Sequence, residues 1–273
     1  MAPEESEPAA ASEPGAGPRP EVPGTAAFGK FMRVLQAAAD APGEASVARL
    51  AKATALPRPT VHRIVAALLA EGLLTDEDGA LCLGPRLVSL AFRSWDGSLL
   101  RQAAREPLLA LRDALDETVH LAVPDAGEMV YLDKLESHRT VRMASRIGTR
   151  VALNTSAVGK AWLATLPEAD LAPLLARLAL PARTPHSLTD PDALRREIAR
   201  TRAHGHSLDR QENELDICCY GMALRGAGGR VLGCISVSLP RYRFEALPPG
   251  TVLRAMAACA EAVARVAGAP RPD

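Results

Sequence analysis

A chain of 273 residues, 48% hydrophobic and 23% charged, has room for about two domains with cores of their own. Its 32 Lys and Arg balance 32 Asp and Glu, so the net charge is zero. A nucleic-acid partner must then be met by a local cationic patch rather than by the whole surface. No apolar run approaches the ~20 residues of a membrane span, so no membrane partner is expected. The N-terminus is acidic and lacks the basic and apolar regions of a signal peptide. Five cysteines, an odd number without regular spacing, fit a reduced cytoplasm better than a disulfide framework.

Residues 1–26 are rich in Pro, Glu, Ala, Ser and Gly, and are expected to form a disordered tail because they offer little apolar bulk to bury. Phe28, Phe31, Met32, Leu35 and Ala38 then recur on one helical face. "DAPGEA" interrupts, and Ser46 is a natural N-cap for a short helix over Val47 to Thr54. After the tight connection "ALPRP", Val61, Ile64, Val65, Leu68 and Leu69 give core spacing to a helix over Thr60 to Glu71, closed by Gly72. "LLTDEDGALCLGP" predicts two short strands about the turn Asp76–Gly79. Segment 86–117 is helical, with a break expected before Pro107. From Thr118 onward, strand-like "TVHLAVPD", "EMVYLDKLE", "TVRMASRI" and "RVLGCISVSLP" mix with helical "SAVGKAWLATL", "DLAPLLARLA", "PDALRREIARTRAHG" and "PPGTVLRAMAACAEAVARVAG". That mixture predicts an α+β class with one antiparallel sheet.

The order helix, helix, turn, helix, hairpin is that of a winged helix-turn-helix. The second helix of such a unit enters the major groove by its first turn. Here that turn carries Arg58, Thr60, His62 and Arg63. Arginines can neutralise phosphates or hold guanine through two hydrogen bonds, and Thr60 can reach a phosphate or a thymine methyl. Lys52 on the preceding helix and Arg86 beyond the hairpin are further backbone candidates. Residues 28–95 hold eight basic and six acidic side chains, a net +2, with the acids at the far helix end and the wing tip. The same pattern also suits a small helical bundle with solvated arginines, or a helical module that docks protein.

Several other constellations lack their defining partners. "TSAVGKA" has Asn154 where a phosphate loop needs glycine. His204, His206, Cys218 and Cys219 match no zinc spacing, so no metal is expected. His120 could serve a cysteine nucleophile, but no third group or oxyanion hole accompanies it. No cofactor is expected.

Taken together, "SVARLAKATALPRPTVHRIVAALLAEGLL", "DGALCLGPRLVSLA", "ETVHLAVPDAGEMVYLDKLES", "TSAVGKAWLA", "GHSLDRQENELDICC" and "GRVLGCISVSLP" resemble, in order and spacing, the IclR-type bacterial transcription regulators over about residues 28–268. The resemblance implies a ligand-responsive, sequence-specific regulator of transcription. It implies a winged helix-turn-helix over 27–88, a linker helix over 89–106, and a GAF-like effector-binding and oligomerising domain over 107–273. The implied partners are double-stranded operator DNA, a small carboxylate or aromatic effector, and a second or further copies of the chain. Carried over residue by residue, the effector site is Ala157, Val158 and Gly159 at a helix start, then Asp209, Ile217 and Cys219, then Ser236 and Ser238 two apart on one strand. Two departures matter. Pro59 replaces a polar residue at the recognition turn, and Tyr220 and Met222 add bulk after Cys219. The alternative from another class is a metabolite-converting enzyme with an accessory helical domain.

Overall fold

A computed structural model describes residues 24–140 and 143–268, and the expected tail over 1–26 lies outside it except for its last three residues. The described chain divides into two compact units, with the boundary between Ser98 and Leu99.

The first unit packs three helices, Ala26–Ala39 (α1), Val47–Thr54 (α2) and Arg58–Ala70 (α3), against a hairpin of Leu74–Glu77 (β1) and Ala80–Leu83 (β2), followed by Pro85–Asp96 (α4). Ser46 caps α2 as its sequence position suggests, its Oγ accepting the Arg49 N–H at 3.4 Å. Ala55, in the left-handed region at φ 54°, turns the chain sharply enough for α3 to follow at once. That helix starts at Arg58, two residues earlier than expected, because Pro59 falls in its first turn, where a missing N–H costs nothing. Val34, Leu35, Leu50, Val61, Ile64, Val65, Leu68 and Leu74 form the core. Each such side chain contributes about 1.5–3 kcal/mol by leaving water. The face of α1 differs from expectation: Val34 is fully buried, whereas Phe28 stays exposed because α1 meets the core only from Phe31 onward, and Met32 stays exposed because the buried strip runs through Phe31, Val34, Leu35 and Ala38. In the hairpin, Asp78 and Gly79 both have positive φ, and the Asp76 carboxylate accepts the Gly79 N–H at 2.8 Å.

The segment read as a linker helix over 89–106 consists of parts of two helices. The first, α4, ends at Gly97, and Leu99–Leu115 (α5) begins after Ser98. The expected break before Pro107 does not occur. Pro107 lies inside α5, flanked by buried Ala103, Ala104, Leu108 and Leu111, whose burial offsets the ~3 kcal/mol that an interior proline costs.

The second unit is one six-stranded antiparallel sheet, built from Thr118–Asp125 (β3), Glu128–Leu135 (β4), Arg150–Ala152 (β5), Ser207–Arg210 (β6), Ile217–Arg225 (β7) and Val231–Pro240 (β8), in the order β5-β4-β3-β8-β7-β6. Ala157–Leu163 (α6), Glu168–Arg177 (α7) and Pro191–His204 (α8) lie in sequence between β5 and β6, while Arg241–Ala246 (α9) and Pro249–Gly268 (α10) follow β8. Strand alternation separates two faces. Val119, Leu121, Tyr220, Leu224, Ile235, Val237 and Leu239 join α5 and α10 in one core. Ala122, Met129, Tyr131, Val151 and Cys234 join α6, α7 and α8 in the other.

One expectation fails here, and one strand forms that the sequence does not suggest. "TVRMASRI" yields no strand over 143–149, and Val141 and Arg142 lie outside the described residues. The carbonyls of Met143 and Ser145 accept from Lys134 Nζ at 2.8 and 2.7 Å instead of from a neighbouring strand. Conversely, polar "SLDR" forms β6, its outer edge, with Asp209 opposite Cys219.

Helix α6 is held on the sheet by close approach and by charge. A Cβ placed on Gly159 would lie 2.5 Å from the Leu153 Cα, and one on Gly221 would lie 2.5 Å from the Ala157 carbonyl oxygen. Lys160, with no exposed surface, pairs with Glu212 in the turn before β7. We therefore expect Gly221→Ala to cost about 1–3 kcal/mol, read as a lower denaturant midpoint at unchanged slope. Lys160→Met should cost about 3–5 kcal/mol by leaving Glu212 buried and unpaired, and the double variant Lys160→Met/Glu212→Leu should recover most of that loss in the same measurement.

Candidate functional site

The first candidate is the start of α3. Val61, Ile64, Val65 and Leu68 commit one side of this helix to the core, leaving Arg58, Pro59, His62 and Arg63 exposed and Thr60 half-buried. Residues 58 and 62, and 59 and 63, are one helical turn apart and so share neighbouring strips of surface. The helix start also carries the positive end of the peptide dipole, and neither α2 nor the first turn of α3 holds an acid. Lys52, Arg58 and Arg63 have no acidic partner among the described residues. Arg86 differs: its guanidinium bonds the Glu71 carboxylate and, at 3.0 Å, the Glu71 carbonyl, so it ties down the far end of α3. The wing tip, Asp76 to Asp78, is acidic and exposed, which disfavours phosphate.

The second candidate is a cavity of about 380 Å3 between the sheet, α6 and the loops 143–149 and 211–217. Its floor follows from strand register. Ser236 and Ser238 alternate with Ile235, Val237 and Leu239, so both hydroxyls point away from the α5–α10 core. Ser238 lies opposite Cys219, and Cys219 opposite Asp209, which sets three polar side chains in a row across β8, β7 and β6. His120 lies opposite Ser236. Seven of the eight expected effector residues, Ala157, Val158, Asp209, Ile217, Cys219, Ser236 and Ser238, line this cavity. Gly159 does not. Its N–H is taken by the Ser156 Oγ at 3.1 Å, and its missing side chain makes room for the Leu153 backbone. Tyr220 points into the opposite core, so its bulk does not narrow the cavity, and Met222 is not among the lining residues.

The sequence reading left out His120, Tyr131, Met143, Ser145, Arg146 and Arg183, which also line the cavity. The sequence offers His120 only as a catalytic base, and it is the β3–β8 register that puts its side chain on the face shared with Ser236. Its ring stacks on Tyr131 at 4.3 Å, its Nε2 is 2.8 Å from the Ser145 Oγ, and its Nδ1 is 3.5 and 3.4 Å from the hydroxyls of Ser236 and Ser238. Burial, with a smaller push from Lys134, drives the imidazole down to about 3, so it is neutral. Burial raises Asp209 to about 7 against the pull of Lys160, while its Oδ1 accepts the backbone N–H of Glu212 at 2.7 Å and of Asn213 at 3.4 Å. Burial also pushes the Cys219 thiol well up, and its hydrogen goes to the Ser238 Oγ at 3.2 Å. A thiol held protonated beside a neutral imidazole is a poor nucleophile. The cavity offers directed hydrogen bonds within an apolar wall, the chemistry of a binding site.

Comparison with known proteins addresses both units. Residues 29–78 match the IclR helix-turn-helix domain, and residues 94–265 match the bacterial transcriptional regulator IclR C-terminal domain. The HTH-type transcriptional regulator Rv1719 of Mycobacterium tuberculosis is 35% identical over 222 residues, covering 79% of this chain and 81% of its own. The probable transcriptional regulator SauR of Cupriavidus necator is 32% identical over 223 residues, covering 80% and 87%. An IclR homologue from Microbacterium hydrocarbonoxydans, solved in complex with 4-hydroxybenzoate, shares the fold at a TM-score of 0.72 and 24% identity, over 88% of this chain and 98% of that one. With both domains matched in order and the second match alone spanning well over half its length, this chain belongs to the IclR family of bacterial transcriptional regulators.

Proposed function

We propose that the chain binds operator DNA through the start of α3 and that a small metabolite in the cavity of the second unit modulates that binding. The observation that carries the DNA reading is the charge at the recognition turn. Lys52, Arg58 and Arg63 are exposed and have no acidic partner among the described residues, next to a helix start with no acid in it. Arg58, Thr60, His62 and Arg63 meet bases and phosphates, and Lys52 adds a backbone contact. Arg86 contributes less, since its guanidinium is engaged by Glu71. Pro59 offers no side-chain hydrogen bond, which concentrates base reading on its neighbours.

Helix α4 supports a dimer. It has no buried residue, yet Val88, Phe92 and Trp95 recur at helical spacing along it, with Val88 and Phe92 more than half exposed and the Phe92 and Trp95 rings in edge contact at 5.8 Å. A second copy covering this row would give two recognition helices and a roughly palindromic operator. The state beyond the dimer, a tetramer included, would be set by the second unit.

The effector reading rests on the row Asp209–Cys219–Ser238 and on His120 and Ser236 beside it, walled by Ala157, Val158 and Ile217. A carboxylate or aromatic metabolite suits a cavity of this size, and 4-hydroxybenzoate is the ligand of the Microbacterium relative. Its effect on DNA requires unequal affinity for two arrangements of the protein. The protonated Cys219 and neutral His120 support a binding protein rather than an enzyme. A regulator that meets both DNA and a metabolite would act in the cytoplasm.

Arg58→Ala and Arg63→Ala should each weaken binding to the DNA recovered by genomic pull-down about tenfold or more and lower the salt slope by about one, with the cavity unaffected. Gel-shift titrations across salt check this, and wild-type affinity in both variants would place the reading surface elsewhere. Ser236→Leu and Ser238→Leu should abolish the metabolite response while leaving DNA affinity intact, measured as release of that same DNA during effector titration. An unchanged response would remove both serines from the site.

A further inference from the structure

The zero net charge of the chain has an uneven origin. Residues 1–23 carry Glu4, Glu5, Glu7, Glu13 and Glu21 against a single Arg19, a net −4. The other 250 residues hold 31 basic and 27 acidic side chains, a net +4. The N-terminal segment therefore cancels the cationic excess of everything that follows it. It also holds six prolines and, apart from Met1 and Val22, no bulky apolar side chain, so charge is what it offers to a surface.

This segment joins the first unit at Gly24, just before α1. The acids of that unit are occupied elsewhere. Glu44 pairs with Arg49, Glu71 pairs with Arg86, Asp40 accepts from the Gln36 Nε2 at 2.8 Å, and Asp76, Glu77 and Asp78 form the wing. Lys52, Arg58 and Arg63 at the recognition turn are exposed and have no acidic partner among the described residues. A polyanion within reach is drawn to such a group. Glu4, Glu5 and Glu7 stand 17–20 residues before Gly24, roughly 55 Å or more of chain at full extension. A unit of this size is only about 30 Å across, so the start of α3 is within their range. A tether of this kind holds its end near the surface at about millimolar effective concentration.

Taking the start of α3 as the DNA-reading surface, we propose that residues 1–23 are an intramolecular competitor for DNA. Their glutamates, Glu4, Glu5 and Glu7 foremost, sit on Lys52, Arg58 and Arg63 and must leave before a phosphate backbone can take their place. Any duplex loses affinity by the same factor, because the competent surface is only partly populated. The salt dependence changes too. Cations already met by glutamates bring fewer released ions to DNA binding, so the slope against salt is shallower than for a chain with an uncharged N-terminus. Salt also screens the glutamates off, so the competition fades as ionic strength rises.

The test compares the full chain with a full-length variant carrying Glu→Gln at positions 4, 5, 7, 13 and 21, changes that leave every described residue intact. Each is titrated with a duplex of about 20 base pairs and arbitrary sequence, by fluorescence anisotropy, from about 50 to about 300 mM salt. The variant should bind about fivefold more tightly at the lowest salt, the size that two or three exposed ion pairs support, with a slope steeper by about one or more. The two curves should meet at the highest salt. Equal affinity at low salt, or a gain that persists undiminished at high salt, overturns the competition.

Where the glutamates sit is read without DNA. A carbodiimide activates a carboxyl group, and an amine in contact with it then forms an amide, with loss of one water overall. Of the four lysines, Lys134 and Lys160 are paired with Glu136 and Glu212, which leaves Lys30 on α1 and Lys52 on α2. Peptide mass spectrometry of the native chain should find Lys52 joined to Glu4, Glu5 or Glu7, at a yield that falls when saturating duplex is added. Amides confined to Lys30 would place the segment on α1, and tighter DNA binding by the variant with no Lys52 amide would mean repulsion at a distance. A Lys52 amide indifferent to DNA would mean that the two do not compete. Each of these overturns the proposal. Failure of the DNA reading itself looks different: the Gln variant would then show no salt-dependent binding to the duplex at all, whereas steep and equal binding by both chains leaves that reading intact and removes only the competitor.

Discussion

How closely α6 approaches the sheet determines what the second unit can hold. Gly221 lets the Ala157 carbonyl come down onto β7, Gly159 lets the helix lie against Leu153, and the buried Lys160–Glu212 pair ties the helix to the turn before β7. Ser207 adds a hydrogen bond of 2.6 Å to that same Ala157 carbonyl. These contacts fix the height of one cavity wall above the row of serines. The ion pair is a weak source of net stability, because both ions must be desolvated. Its contribution is positional: an ammonium with no solvent can satisfy itself only where Glu212 is, so the turn whose Glu212 and Asn213 N–H groups hold the Asp209 carboxylate has one place to sit.

Charge elsewhere is distributed along similar lines. Most cations are engaged: Arg49 with Glu44, Arg86 with Glu71, Arg150 with Glu128 and Asp125, Arg243 with Glu117. Several others have no acidic partner among the described residues, and five of these stand beside the start of α3 (Lys52, Arg58 and Arg63) and at the rim of the cavity (Arg146 and Arg183). A chain of zero net charge thereby keeps two local positive surfaces, each where an anionic partner would arrive.

The helical half of the fold was legible because its signals are local. The cap at Ser46, the spacing Val61–Ile64–Val65–Leu68 and the Asp78–Gly79 turn each need only a few neighbouring residues. Where the reading failed, distant partners decided. The expected proline break gave way because Leu108 and Leu111 find a sheet to bury against, and the 143–149 strand was lost because Lys134, nine and eleven residues away, satisfies the carbonyls a strand would have used. β6 was missed because its edge position leaves polar residues tolerable. The same limit explains the site. Ser236 and Ser238 came with the family resemblance, and their spacing of two put them on one face of a strand, whereas the pairing of His120 with Ser236 spans 116 residues and belongs to sheet register. Arg146 and Arg183 sit in loops with no periodicity to betray them.

His120 has one more consequence. Because its ring stays neutral, it carries a single ring proton, so one nitrogen donates while the other accepts. One nitrogen faces Ser145 in the 143–149 loop and the other faces the two serines of β8. A guest that takes a hydrogen bond from either side fixes the tautomer, and with it the direction of the bond on the opposite side. Through the imidazole the loop's hydrogen-bond polarity would follow whatever meets Ser236 and Ser238, transmitted across one aromatic ring without moving a charge.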